Sequence, residues 1–183
     1  ASKQEIIRRY YETAVKVKNG ISHNDELYKI EMIMNQLGVK CEDRAVVNKA
    51  LDKARETDGP ATAIELSDGT MITGKTSELL GASSAALLNA LKTLAGIPDE
   101  IKLISPAVIE PIQKLKIDNL GNHNPRLHAD EILIALAISA TTSELAAKAM
   151  EQLPKLSGCQ VHTSDMLTDV DIKTFKKLGV DLT

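Results

Sequence analysis

The segment Thr62-Ala63-Ile64-Glu65-Leu66-Ser67-Asp68-Gly69-Thr70-Met71-Ile72-Thr73 decides the fold. Thr62 to Leu66 and Thr70 to Thr73 are short runs suited to strands. Ser67-Asp68-Gly69 between them is a three-residue turn with glycine placed for a left-handed conformation. This predicts a β-hairpin, and the texture of the chain differs on its two sides.

Upstream everything is helical in period. Asp58-Gly59-Pro60 breaks a helix that runs from Glu42 or Asp43 to Thr57, with Ala45, Val46, Ala50, Leu51 and Ala54 inward. Residues 3 to 18 place Ile6, Ile7, Tyr10, Ala14 and Val17 on one face behind a Ser2/Glu5 capping box, and Asn19-Gly20 stops that helix. A Ser22/Asp25 box opens the next, where Leu27, Ile30, Met34 and Leu37 recur before Gly38. Two amphipathic helices joined by a short turn form a helical hairpin. Such a hairpin cannot hide its apolar faces alone, so it must dock on the rest of the protein or on another copy.

Downstream, Thr76 or Ser77 is expected to cap a long central helix to Ala95, rich in leucine (Leu79, Leu80, Leu87, Leu88, Leu91, Leu94). Ile101 to Ile104 reads as a strand and Pro106 to Lys116 as a helix. Residues 118 to 131 form a polar, turn-rich segment, followed by helices over 130–140 and 142–153 with a Thr141/Glu144 box between them. Cys159 to Thr163 alternates as a strand, Thr168 with Asp171 caps a helix carrying Ile172, Phe175 and Leu178, and Val180 to Leu182 closes as a strand. The division is a helical appendage over 1–58 and an α/β domain over 59–183, the latter a small mixed sheet with flanking helices.

Composition narrows the function. The 183 residues carry 22 basic and 25 acidic side chains, a net charge of −3, with 43% hydrophobic residues but only 2% aromatic and no Trp. Scattered charges of both signs argue against a nucleic-acid partner, and the lack of aromatics removes base-stacking platforms and cation cages. No run of 18 apolar residues exists, which argues against a membrane partner. Cys41 and Cys159 stand apart without ligand-spaced neighbours and are expected as buried, reduced thiols in a cytoplasmic protein. The start at Ala1, without Met or a leader pattern, reads as the start of a fragment at a domain boundary.

The strings EIIRRYY, SDGTMITGKTSELLG, LKTLAGI, LGNHNPRLHADEILIALAISATTSE and LGVDLT together resemble the C-terminal part of a bacterial family known as a domain of unknown function, family eighteen forty-six. The resemblance covers essentially the whole chain and carries no established activity or catalytic residues. It implies a longer protein, with an N-terminal portion that includes a glycine-rich, phosphate-loop-like stretch outside these residues.

Three constellations carry candidate chemistry. Gly69 to Thr76 satisfies the phosphate-loop pattern G-x-x-x-x-G-K-T literally, which makes Lys75 and Thr76 candidate ligand-binding residues. Against that, Thr70 to Thr73 alternates and the Asp68-Gly69 turn favours a hairpin. The element order is also similar in topology to the cytidine-deaminase-type fold, yet Gly81 to Ala85 and Ser105 to Glu110 lack the zinc ligands that fold uses, so no metal is expected. The same cleft, with Ser83, Ser84, Ser105 and helix N-termini, is a candidate anion site, the plainer role of these serines being packing and capping. Finally His123, Asn124, Arg126 and His128, with Asp130 and Glu131, form the densest group of functional side chains, as either a ligand or subunit-contact loop or a surface turn begun by Asn124-Pro125 and ended by an Asp130 or Asn124 cap.

The leading expectation is a non-catalytic accessory or oligomerisation module that works without a cofactor, its partner another copy or its own N-terminal domain. The alternative is part of an enzyme or a site for a phosphate-bearing or anionic small molecule completed by that domain.

Overall fold

The computed structural model describes residues 2–183. Helix α1 (Lys3–Lys18) is capped by Ser2, whose hydroxyl accepts from the Glu5 N–H, and α2 (Asn24–Leu37) returns along it to a left-handed Gly38. Here His23, not Ser22, is the N-cap, and it makes no side-chain capping bond. A 3-10 turn over Cys41–Asp43 precedes α3 (Ala45–Thr57), so the third helix starts later than its apolar period indicated.

The expected hairpin follows as β1 (Ala61–Glu65) and β2 (Met71–Lys75), antiparallel with Ala63 opposite Thr73 and Ile64 opposite Ile72. Gly69 takes φ +85° in the connecting turn and the Thr70 N–H donates to Asp68 Oδ1, so Asp68 and Gly69 hold the bend as their order predicted. Then come α4 (Ala82–Ala95), α5 (Pro106–Asp118), α6 (Ala129–Ser139), α7 (Glu144–Met150), β3 (Gln160–Thr163), α8 (Asp169–Lys177) and β4 (Asp181–Leu182). The strands form one mixed sheet in the order β2-β1-β3-β4, with β1 antiparallel to β3 and β3 parallel to β4.

Strand alternation separates two layers. Ala63 packs with Val46 and Ala50 of α3 on one face, while Ile64, Ile72 and Val161 join Leu87 and Leu91 of α4 and Leu136 of α6 on the other. At Gly74 the backbone of α4 lies against the strand: a Cβ there would sit 2.1 Å from the Ala86 nitrogen and 2.6 Å from the Ala82 carbonyl oxygen. Glycine is required because backbone meets backbone at that point.

Four further local expectations change. Residues 101–104 are not a strand: they lie in an irregular connection from which Leu103 and Ile104 are buried. Two neighbouring apolar anchors in a loop mimic a strand in sequence. The central helix begins at Ala82 instead of residue 76 or 77, because residues 76–81 cross from the sheet and Leu80 bridges in parallel to Leu127; the Ser77 hydroxyl caps a local turn by accepting from the Leu79 and Leu80 N–H groups. Ser143, not Thr141, caps α7, while the Thr141 hydroxyl donates back to the Ile138 carbonyl. That helix also stops at Met150, ahead of a 3-10 turn over Leu153–Leu156 that contains Pro154.

Candidate functional site

The phosphate-loop match dissolves into the hairpin. Residues 71–75 are β2, in ladder with β1, and Lys75 is exposed opposite Ala61. The Thr76 N–H and hydroxyl both donate to the Pro60 carbonyl, at 3.2 and 3.4 Å. Backbone N–H groups engaged in a ladder cannot turn inward to cradle a phosphate.

The serines separate. Ser83 and Ser84 are buried in the first turn of α4, and the Ser84 hydroxyl donates to the Leu127 carbonyl at 2.9 Å. Ser105 is exposed and caps α5, accepting from the Ala107 N–H at 3.2 Å. The element joined to the start of α4 is therefore the segment leading into α6: Leu127 also accepts from the Gly81 N–H and donates its own N–H to the Leu79 carbonyl at 3.0 Å.

That segment is pinned from several sides. Asn124 Oδ1 accepts from the Arg126 N–H at 3.1 Å, the bend expected of Asn124-Pro125, and Arg126 Nε donates to the Ser77 carbonyl at 2.6 Å. His123 is exposed. His128, not Asp130 or Asn124, is the N-cap of α6, and its N–H donates to Glu131 Oε1 at 2.9 Å. Asp130 Oδ1 instead accepts from the Glu131 N–H. Glu131 in turn takes a 2.7 Å bond from Lys116 Nζ, which also reaches the Arg126 carbonyl at 2.6 Å.

Asp171 completes the group. Buried at the start of α8, it accepts from the Ala129 N–H at 2.8 Å and from the Thr168 hydroxyl at 3.2 Å, and its Oδ2 lies 3.3 Å from His128 Nδ1. A proton on Nδ1 donates to the carboxylate and leaves His128 Nε2 as a free acceptor. A carboxylate placed against the first N–H of α6 also opposes that helix's positive end. The arrangement can orient an imidazole. Among the described residues no group of three or more His, Cys, Asp or Glu side chains is placed to hold a metal ion.

Two contributors escape a residue-by-residue reading. Lys116 occupies the inward stripe of α5 with Ile109 and Ile112, and a lysine at a core position of an amphipathic helix is the signal that marks it. Asp171 is legible as a cap of its own helix, but its reach to α6 spans 42 residues and leaves no local trace.

A second polar cluster lies on the α3 face. The buried Arg44 guanidinium donates to Gln160 Oε1, to the Val161 and Asp181 carbonyls and to Thr183 Oγ1. Arg8 of α1 bonds Gln160 Oε1 and Asp181 Oδ2 at 3.3 and 3.2 Å, tying the helical hairpin to the sheet edge. His162 packs against the Tyr11 ring, with Nδ1 2.7 Å from Thr183 Oγ1; burial, assisted by the Arg44 charge, pushes its pKa down to about 4. Burial and the neighbouring Arg8 bring Arg44 down to about 10. Cys41, half-buried beside Tyr11, has its thiol pKa raised chiefly by burial, and the buried Cys159 is raised for the same reason. Both are free thiols, Cys41 less covered than expected.

The family model described as "Domain of unknown function DUF1846, C-terminal" matches residues 42–183. A UPF0371 protein of Streptococcus thermophilus strain LMD-9 is 54% identical over all 183 residues, and UPF0371 proteins of Streptococcus pneumoniae strains G54 and TIGR4 are 53% and 54% identical over the same span. The chain covers 37% of the length of each of these curated relatives. Among the described residues no helix is long and apolar enough to cross a membrane.

Proposed function

The chain belongs to the family of the domain of unknown function DUF1846, and on that premise we propose that it is a non-catalytic docking and assembly module of a longer protein, with the N-terminal helical hairpin as its contact surface. One observation carries this reading. α2 packs on α1 and the segment after it, burying Met34 and Val39 with Ile7, and still leaves four large apolar side chains in the open: Tyr28 is 62%, Met32 43%, Ile33 47% and Leu37 57% exposed. Ile21 in the connecting turn is exposed as well. Exposed large apolar side chains gathered on one helix mark a surface that meets a partner. The partner is another copy or the rest of the polypeptide. Size-exclusion chromatography with light scattering, run beside binding of a hydrophobic dye, tests this. The parent protein self-associates or binds dye, and Tyr28→Glu with Leu37→Glu does neither. A parent that is strictly monomeric and shows no dye-binding surface overturns the reading.

A second reading, a site for an anionic small molecule where α4, α6 and α8 begin, is favoured by the His128–Asp171 pair: a histidine with protons on both nitrogens gives Nδ1–H to the carboxylate and turns Nε2–H toward an anion. Anionic metabolites that raise the melting temperature of the full-length protein then lose that effect in His128→Ala and Arg126→Ala. An unchanged shift in both variants removes these residues from any such site.

A further inference from the structure

We propose that the outer face of α6 is the seat of the remainder of the full-length polypeptide, the part of the protein outside these 183 residues. From Ile132 to Ser143 the chain carries no charged side chain. The exposed positions of α6 are nevertheless Ile134, Ala137 and Ile138, and Ile134 is 59% and Ile138 54% exposed. Thr141 and Thr142, also exposed, prolong the same uncharged surface. A helix side left in water ordinarily carries charges. Positions 134, 137, 138 and 141 instead have the i, i+3, i+4, i+7 spacing of a stripe that another element covers. Ala137 in the middle leaves room for a partner backbone to come close. Leu115 of α5 and Leu145 of α7, on two of the helices that pack beside α6, are exposed as well.

The occupant follows from size. The curated relatives are far longer than this chain, which spans 37% of their length, so most of such a protein has to find a place against or beside this module. A second copy fits the face less well. α6 has 11 residues and is therefore about 16 Å long, whereas a stable pair of free partners buries about 800 Å² on each side. A segment joined through the backbone is held at an effective concentration of about millimolar, so a short uncharged stripe suffices. α6 also lies on the α4 side of the sheet, while the hairpin is tied to the α3 side through Arg8 and Gln160. The inference rests on the reading of this chain as a docking module but places the contact on a different helix.

Cysteine labelling of the folded full-length protein tests it. Ile134→Cys and, as an exposed reference on α8, Lys173→Cys are reacted with a maleimide and followed by peptide mass, which separates them from Cys41 and Cys159. The face is covered by the protein's own chain if Cys at 134 reacts about tenfold more slowly than at 173, equally so in dilute and concentrated protein. Equal rates at the two positions overturn the proposal, and so does protection that appears only on concentration, which assigns the face to a second copy. Tyr28→Cys in the same assay reports on the hairpin separately, so failure of either surface is seen apart from the other.

Discussion

Lys116 Nζ lies 2.7 Å from Glu131 Oε1, and the lysine side chain is only 2% exposed. The pair joins α5 to the start of α6, and the same ammonium holds the Arg126 carbonyl. Removing the lysine leaves both acceptors short of a donor, one of them charged. Lys116→Met, which keeps the stem in the core, is expected to destabilise the protein by about 3 kcal/mol in urea unfolding. Adding Glu131→Gln removes the uncompensated charge and should recover part of that loss. If the double variant is less stable than the single one, the pair does not act as a unit.

Gly74 and Ala86 meet backbone to backbone where α4 lies against β2. Since a Cβ at Gly74 would lie 2.1 Å from the Ala86 nitrogen, Gly74→Ala forces α4 off β2 or prevents cooperative folding, a loss of at least about 3 kcal/mol. Gly69→Ala is the contrast. It has open space around it and only the positive φ to overcome, so its cost is about 1 kcal/mol. Thermal melts that rank the two variants the other way would show that α4 can move away without penalty.

The features legible in sequence are those set within a few residues. Asp68-Gly69 between alternating runs fixed the hairpin register, and Ser2 and Thr168 cap α1 and α8 through bonds three residues long. Residues 101–104 misled because Leu103 and Ile104 are buried for reasons of the core around them, and alternation cannot distinguish an anchored loop from a strand. The candidate site was legible in composition but not in wiring. The density of functional side chains over 123–131 marks His128 together with its neighbours, yet its partner Asp171 is 43 residues away, and Arg44 reaches Thr183 across 139. Such contacts are decided by packing of layers, which no local period records.

Burial of His162 makes stability depend on pH in a defined direction. Its folded pKa is about 4, below the ordinary 6.5, so the unfolded chain binds the extra proton first. The contribution is whole above pH 6.5 and is lost as pH falls from there toward 4. At pH 4.5 the loss is about 2.5 kcal/mol relative to pH 7.5. Other groups titrate in the same window, so the difference between the parent and His162→Gln isolates this one. Parallel pH profiles for the two proteins would show that the imidazole charges without cost in the folded state.

Arg44 holds the last strand to the sheet. β4 has two residues, and its pairing with β3 includes the Asp181 N–H to the Cys159 carbonyl and the Thr183 N–H to the Val161 carbonyl, each 2.9 Å, and the Thr163 N–H to the Thr183 carbonyl at 3.0 Å. The guanidinium adds bonds to the Asp181 carbonyl, to Thr183 Oγ1 and to Gln160 Oε1 on the neighbouring strand. With the Val161 carbonyl its planar fork serves four acceptors from one buried position, more than the three N–H bonds of an ammonium can reach. Arg44→Met should therefore cost about 3 kcal/mol, with faster hydrogen exchange at the Asp181 and Thr183 amides than at Leu91 in α4. Arg44→Lys, although it keeps the charge, should resemble Met in both measurements. If lysine restores the protection of β4, charge rather than the directed set of donors keeps the strand in place.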